Sequence, residues 1–158
     1  MQNLAEGWVV RPALACDLEE IVSLDHGVWS PQNAADSAHS WRLWIDYGLT
    51  FVLRNDQEIF GVAGAFPAYA RRVDPVLLLH KLFVKESARG QGLGTRLLNA
   101  TLLAAHFHEP ETCVRLTVDP ANIRAIQFYK RAGFAELWTE PDYYGAGKNR
   151  TVMERSGS

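Results

Sequence analysis

The sequence predicts an α/β fold in which a mixed sheet carries helices on both faces. Short apolar or β-branched runs are interleaved with amphipathic stretches of helical period. Strand and helix alternate in only part of the chain, so the sheet is expected to be mixed rather than all parallel. With 158 residues, 47 % hydrophobic and 22 % charged, the chain suits one ordinary core better than two small ones. Residues 1–158 are therefore expected to form a single domain.

WVVRPA (8–13) reads as a first strand. CDLEEIVSLDHGVW (16–29) reads as a helix, with Leu18, Ile21, Val22 and Leu24 on helical spacing and Asp17 as its cap. SPQNAADSAHSWRLWIDYG (30–48) opens on a breaker and capping residues and sets Trp41, Trp44 and Ile45 on one helical face. Gly48 ends it. LTFVLR and EIFGVAGAF, joined by the turn residues NDQ, predict a hairpin. VLLLHKLFV (76–84) is apolar around one basic pair, as in a central strand covered on both faces. From Gly92 to His108, Leu93, Leu97, Ala100, Ala104 and Phe107 recur at steps of four and three, and Leu98, Leu102 and Ala105 widen the stripe, predicting a deeply buried helix. CVRLTV (113–118) is a fifth strand, NIRAIQFYKRA (122–132) a short helix closed by Gly133, and FAELWTE a sixth strand. A seventh falls within Tyr143–Glu154.

Net charge and cysteine content narrow the function. A net charge of -2 and a pI near 6.2 give no global attraction to nucleic acid or acidic membranes. Cys16 and Cys113 have neither paired spacing nor a Cys/His cluster, so no disulfide framework and no metal site are expected. The N-terminal MQNLAEGWVVRPA lacks a basic segment followed by a long apolar run, and no stretch reaches the length of a membrane span. A cytoplasmic protein is the expectation.

The stretch ARGQGLGTRLL (88–98) places three glycines within five positions between the fourth strand and the long helix. Without Cβ the backbone can approach a ligand closely, and first-turn amides suit phosphate. Arg89 and Arg96 add fixed charge. The nucleotide P-loop fails here, because no lysine occurs between Lys85 and Lys130. The dinucleotide pattern counted from Gly90 fails too, because Thr95 occupies the place of its third glycine.

The spacing that fits is Arg or Gln, two residues, Gly, one residue, Gly or Ala, met by Arg89, Gly92 and Gly94. It resembles the GNAT superfamily of acyl-CoA-dependent N-acetyltransferases. LTVDPANIRAIQFYKRAGF (116–134) resembles the second hallmark of that family through Asn122, Ala125, Phe128, Tyr129, Gly133 and Phe134. The resemblance implies a largely antiparallel sheet of six to seven strands. It implies that the loop Arg89, Gly90, Gln91, Gly92, Leu93, Gly94 and Thr95 holds the diphosphate of acetyl-CoA. Backbone groups of Leu82, Phe83 and Val84 would address the pantetheine arm, and Asn122, Phe128 and Tyr129 would complete the cofactor site. No metal is implied.

Acetyl transfer to an amine requires a neutral amine, a donor to the carbonyl oxygen and a proton for the leaving thiolate. Tyr129 is the expected general acid, and a backbone N–H near Phe83 or Val84 the expected oxygen donor. In the resembling enzymes that acetylate protein N-terminal amines a glutamate stands five residues before the Asn, but here that residue is Thr117. His80 is the substitute candidate base, with packing inside the strand as its plainer role. A water route from Asp25, His26 or Asp119 is the other possibility. Asn122 also suits a helix cap, and that role is compatible with ligand binding. EPDYYGAGKNRTVMER (140–155) looks like the acceptor-side hairpin of such enzymes, where Tyr143 and Tyr144 either line an amine pocket or pack across the hairpin. Trp29, Trp41 and Trp44 read as core, with an acceptor wall as the other reading. The expected activity is acetylation of a primary amine on a small molecule or peptide. The alternatives are a protein N-terminal acetyltransferase and a non-catalytic acyl-CoA sensor. Exposed strand edges leave a homodimer open.

Overall fold

The computed structural model describes residues 7–29, 34–70 and 74–157, with the backbone alone for residues 28, 29, 34–36, 70 and 74. The breaker and caps expected at 30–33 lie outside the described residues, as do residues 1–6 and the side chain of Trp29. The strands are β1 (Val9–Pro12), β2 (Leu49–Arg54), β3 (Ile59–Ala70), β4 (Asp74–Val84), β5 (Cys113–Val118), β6 (Ala135–Glu140) and β7 (Arg150–Arg155). The helices are α1 (Leu18–Trp29), α2 (Ala34–Tyr47), α3 (Leu93–His108) and α4 (Ile123–Arg131). The strands form a sheet in the order β1-β2-β3-β4-β5-β7-β6. β4 and β5 pair in parallel, while β1–β2, β2–β3, β5–β7 and β6–β7 pair antiparallel, which is the mixed sheet the sequence predicts.

The chain divides into two compact units, one made of the residues up to Phe66 with Lys81–Ala104, the other of Pro67–His80 with the residues from Ala105 onward. In the first unit the period of two along the strands feeds two cores. Val52 joins Ile21 and Leu24 of α1, Trp41 of α2, Val62 and Phe83. Its neighbour Leu53 joins Ala63, Val84 and Leu93 and Leu97 of α3. Helices therefore cover both faces of this part of the sheet. The hairpin turn is closed by Asn55, whose Oδ1 accepts from the N–H groups of Gln57 and Glu58 at 2.9 Å each. In the second unit Val114, Leu116 and Val118 of β5 alternate inward, and Leu116 is registered with buried Met153 of β7. β6 is exposed along its whole length, with a register shift between Glu136 and Trp138.

Three details differ from the sequence reading. β3 and β4 are longer than the runs EIFGVAGAF and VLLLHKLFV, extending past Pro67 and Pro75, and both prolines are exposed. Phe107 is 82 % exposed rather than part of the buried stripe. At about 100° per residue it falls on the far side of an arc centred on buried Thr101, with Leu97, Leu98 and Ala105 around it. Asp17 does not cap α1 but accepts two bonds from Arg11, at 2.7 and 2.9 Å, and one from the Leu14 N–H. The hydrogen bonds from Arg11 hold its carboxyl below the usual range.

Candidate functional site

The segment after β4 is built from backbone. Registered pairing of β4 with β5 covers only Val76–Leu78, so the end of β4 has no registered partner in β5. Phe83 and Val84 bury their side chains in the two cores and Leu82 packs beside Val84. The Lys85 N–H bonds to Phe60 O at 2.7 Å, and a 3-10 turn at Glu86–Ala88 then carries the chain to the glycines. Gly90 and Gly92 have φ of 79° and 73°, a region that favours glycine, and a Cβ at either would meet nothing within 4 Å.

Their main-chain hydrogens define the site. The Arg89 N–H bonds back to Glu86 O at 3.1 Å, and the next bonded amide is that of Arg96, to Gly92 O at 3.1 Å. Among the described residues the six amides from Gly90 to Thr95 have no partner. Six consecutive open donors at the start of a 16-residue helix have the chemistry that suits an anion, and the helix dipole adds to it. Leu93 is buried, so only its amide is available, whereas Gln91 and Thr95 are exposed. Open space, donors and flanking Arg89 fit a diphosphate. A separate groove of about 470 Å³ lies along α1 and Lys85–Arg89, with Glu20, Ser23 and Gly27 in its lining, but none of the residues 90–95 contributes to it.

The remaining candidates belong to the second unit. Asn122 caps α4, its Oδ1 accepting from the Ala125 N–H at 3.1 Å. One turn and more along, the Tyr129 ring packs edge-on to Phe128 and Phe134, with centroids 5.2 and 5.7 Å away. Burial pushes its phenol up to about 12. Its hydroxyl has no hydrogen-bond partner among the described residues, so a packed ring carries an open donor. His80 is exposed on β4, and Thr117 is half-buried on β5. Asp119 accepts from the Ala121 N–H at 2.9 Å and lies 3.7 Å from Arg150.

Asp25 is closed to proton uptake. Its carboxylate accepts from Lys81 Nζ at 2.7 and 2.8 Å, from Ser37 Oγ at 2.6 Å and from Trp41 Nε1 at 2.9 Å. Burial works to raise its pKa, but these bonds and the lysine charge prevail and hold the carboxyl below its usual range. The network also fixes Trp41 as core, since its ring is fully buried. Trp44 stacks on Phe66. His26 Nε2 is buried without a partner. Tyr143 and Tyr144 meet edge to face at 4.8 Å, and Arg150 lies over Tyr144. The sequence offered no signal for the Lys81–Asp25 pair, whose partners are 56 residues apart.

The chain's residues 17–134 match the model of the acetyltransferase (GNAT) family. The chain belongs to that family. This GNAT chain is 28 % identical over 163 residues to the uncharacterised N-acetyltransferase YesJ of Bacillus subtilis (strain 168), covering 90 % of each protein. Its fold is similar to that of Arabidopsis thaliana Naa50, solved in complex with the bisubstrate analogue CoA-Ac-MVNAL, at a TM-score of 0.78, 22 % identity and coverage of 95 % and 99 % of the two chains. It is also similar to an aminoglycoside 6'-acetyltransferase of type Ii, at a TM-score of 0.80, 19 % identity and coverage of 95 % and 97 %. The GNAT chain is thus an acetyltransferase with the mixed seven-stranded sheet of its fold neighbours. Among its described residues no helix is long and apolar enough to cross a membrane, and no group of three His, Cys, Asp or Glu side chains could hold a metal ion.

Proposed function

We propose that residues 1–158 act as one cytoplasmic N-acetyltransferase domain that transfers the acetyl group of acetyl-CoA directly to a primary amine of a small molecule or peptide. The row of open amides from Gly90 to Thr95 carries this reading. Acetyl-CoA, when bound, supplies an acetyl group activated as a thioester. The six amides hold its diphosphate, with Arg89 at the start of their turn. Leu82, Phe83 and Val84 offer main-chain groups to the pantetheine arm, and a Phe83 or Val84 N–H stabilises charge on the acetyl oxygen without reorganising. Asn122 and Phe128 are further cofactor-binding residues in this reading.

Tyr129 Oη holds its proton at any working pH, because burial raises its pKa to about 12. It donates to the sulfur as negative charge develops there. His80 takes the proton of the acceptor amine, being exposed and of a residue type whose unperturbed pKa is near 6.5. Peptide N-terminal amines are the second reading for the acceptor. It is favoured by the exposed Tyr143–Tyr144 pair and the fold shared with Naa50, and opposed by Thr117 in place of a glutamate.

The test is calorimetry with acetyl-CoA, followed by thiol release against panels of aminoglycosides, polyamines and peptides. Binding with turnover on at least one amine supports the proposal; binding with no turnover on any panel would leave the sensor reading. His80→Ala is expected to remove the acidic limb of the rate profile. An unchanged profile removes His80 from the mechanism.

A further inference from the structure

We infer that Arg89 is a positioning residue, whose Nε–H clamps the Val84 carbonyl and so presets the open turn, and that this clamp matters more for cofactor binding than its charge. The inference rests on the acetyl-CoA reading above. It starts from one bond, Arg89 Nε to Val84 O at 2.9 Å, which spans five residues from the start of the turn to the last residue of β4.

Main-chain amide donation stops at Arg89 N and resumes at Arg96 N. The later part of that interval, Leu93–Thr95, is the first turn of α3, whereas Gly90–Gly92 precedes the helix and contains two glycines at positive φ. Such a segment has much conformational freedom to lose, and donors bind an anion well only if they already point at it. The clamp fixes the near end of that segment to the sheet, while α3 fixes the far end. Arg89 is exposed, so a point charge there is screened by water, whereas a hydrogen bond that fixes the main chain acts on the amides that follow it.

The covalent structure of the side chain provides the discriminating variants. Counting outward from Cα, the Arg donor Nε is the fourth atom, and in glutamine the fourth atom is the donor Nε2. Lysine has a methylene there, with its charge one atom farther out. Glutamine therefore keeps the clamp and loses the charge; lysine keeps the charge and loses the clamp.

Arg89→Gln, Arg89→Lys and Arg89→Ala should be compared with the parent protein by acetyl-CoA calorimetry, by steady-state kinetics and by backbone NMR order parameters of residues 90–92 without ligand. Arg89→Gln is expected to bind within about threefold of the parent and to keep its order parameters, while Lys and Ala weaken binding about tenfold and lower them, as loss of one hydrogen bond implies. For Lys and Ala the loss should appear in KM for acetyl-CoA, with kcat at saturation unchanged. Binding by Arg89→Lys as tight as or tighter than by Arg89→Gln would overturn the inference, as would order parameters unaltered in all three. A parent protein that does not bind acetyl-CoA sinks the proposed function instead, and the order-parameter comparison still decides the clamp.

Discussion

Gly92 and Gly147 share a backbone conformation, with φ of 73° and 74°, and at both a Cβ would meet nothing within 4 Å. Their surroundings treat the peptide hydrogens in opposite ways. In the loop between β6 and β7 the chain closes on itself. The Asp142 N–H bonds to Asn149 Oδ1, the Gly147 N–H to Asp142 Oδ1 at 2.6 Å, Gly145 to Asp142 O and Lys148 to Gly145 O. That loop offers side chains, chiefly Tyr143 and Tyr144, and few free amides. The turn before α3 and the first three residues of that helix leave six amides open and offer little else. Glycine content alone would not separate a turn with open donors from a self-satisfied loop; an account of every N–H does.

The sharpest way to break this contrast is to place the same side chain at both glycines. Asp enters the left-handed region more readily than most residues, so Gly92→Asp and Gly147→Asp should both fold. Gly92→Asp is expected to weaken acetyl-CoA binding about a hundredfold or more by setting a carboxylate among the donors proposed to hold phosphate. Gly147→Asp should leave that affinity unchanged in the same calorimetry. Equal losses, or none, would dissolve the distinction.

Tyr129 lies between the two extremes, its ring committed to packing and its hydroxyl open. Tyr129→Phe should cut kcat by about a hundredfold or more while leaving the acetyl-CoA Kd as it was. The same burial has a consequence for stability. Because the folded pKa lies above the unfolded value of 10.0, the stability from the buried neutral phenol is fully present below pH 10 and is lost as pH rises toward about 12. Denaturant titrations across that window should show the decline in the parent protein and a smaller one in Tyr129→Phe.

Asp25 is the extreme of closure. Asp25→Asn should lower unfolding free energy by about 2–3 kcal/mol, since it removes a buried charge with four hydrogen bonds, two of them from a partly exposed lysine. The folded pKa is depressed, so the stability it gives is present above the unfolded value near 3.8 and disappears as pH falls through the folded pKa. Asp25→Asn should therefore flatten the acid limb of the stability curve, and a rate profile of unchanged shape would agree with its exclusion as base. The smallest expected effect is Gly147→Ala, which should cost about 1 kcal/mol from the left-handed strain and nothing in cofactor affinity.

Elements whose chemistry is local were legible before the fold was known. The strand–turn–helix around Gly90–Gly94 was readable because glycine, missing Cβ and helix start act over a few residues, and the same holds for the Asn122 cap and the Asn55 turn. Phe107 was misplaced because a helix pattern gives the period of burial but leaves the centre of the arc to whichever neighbours pack there. The Asp25 network was hidden because its four members sit at positions 25, 37, 41 and 81, and no spacing rule joins them.

By itself, then, the order of residues determined the strands, the helices, the glycine turn and the phenol on the later helix, since torsional preference, periodicity and capping are properties of neighbours in the chain. Tertiary structure alone decided which donors stay open and which are consumed: the six free amides, the Arg89 clamp, the closed β6–β7 loop and the spent carboxylate of Asp25. A hydrogen-bonding group is available only when no partner lies within about 3 Å, and that distance is set by the folded path of the chain, whether the partner is 5 residues away, as Val84 is from Arg89, or 56, as Lys81 is from Asp25.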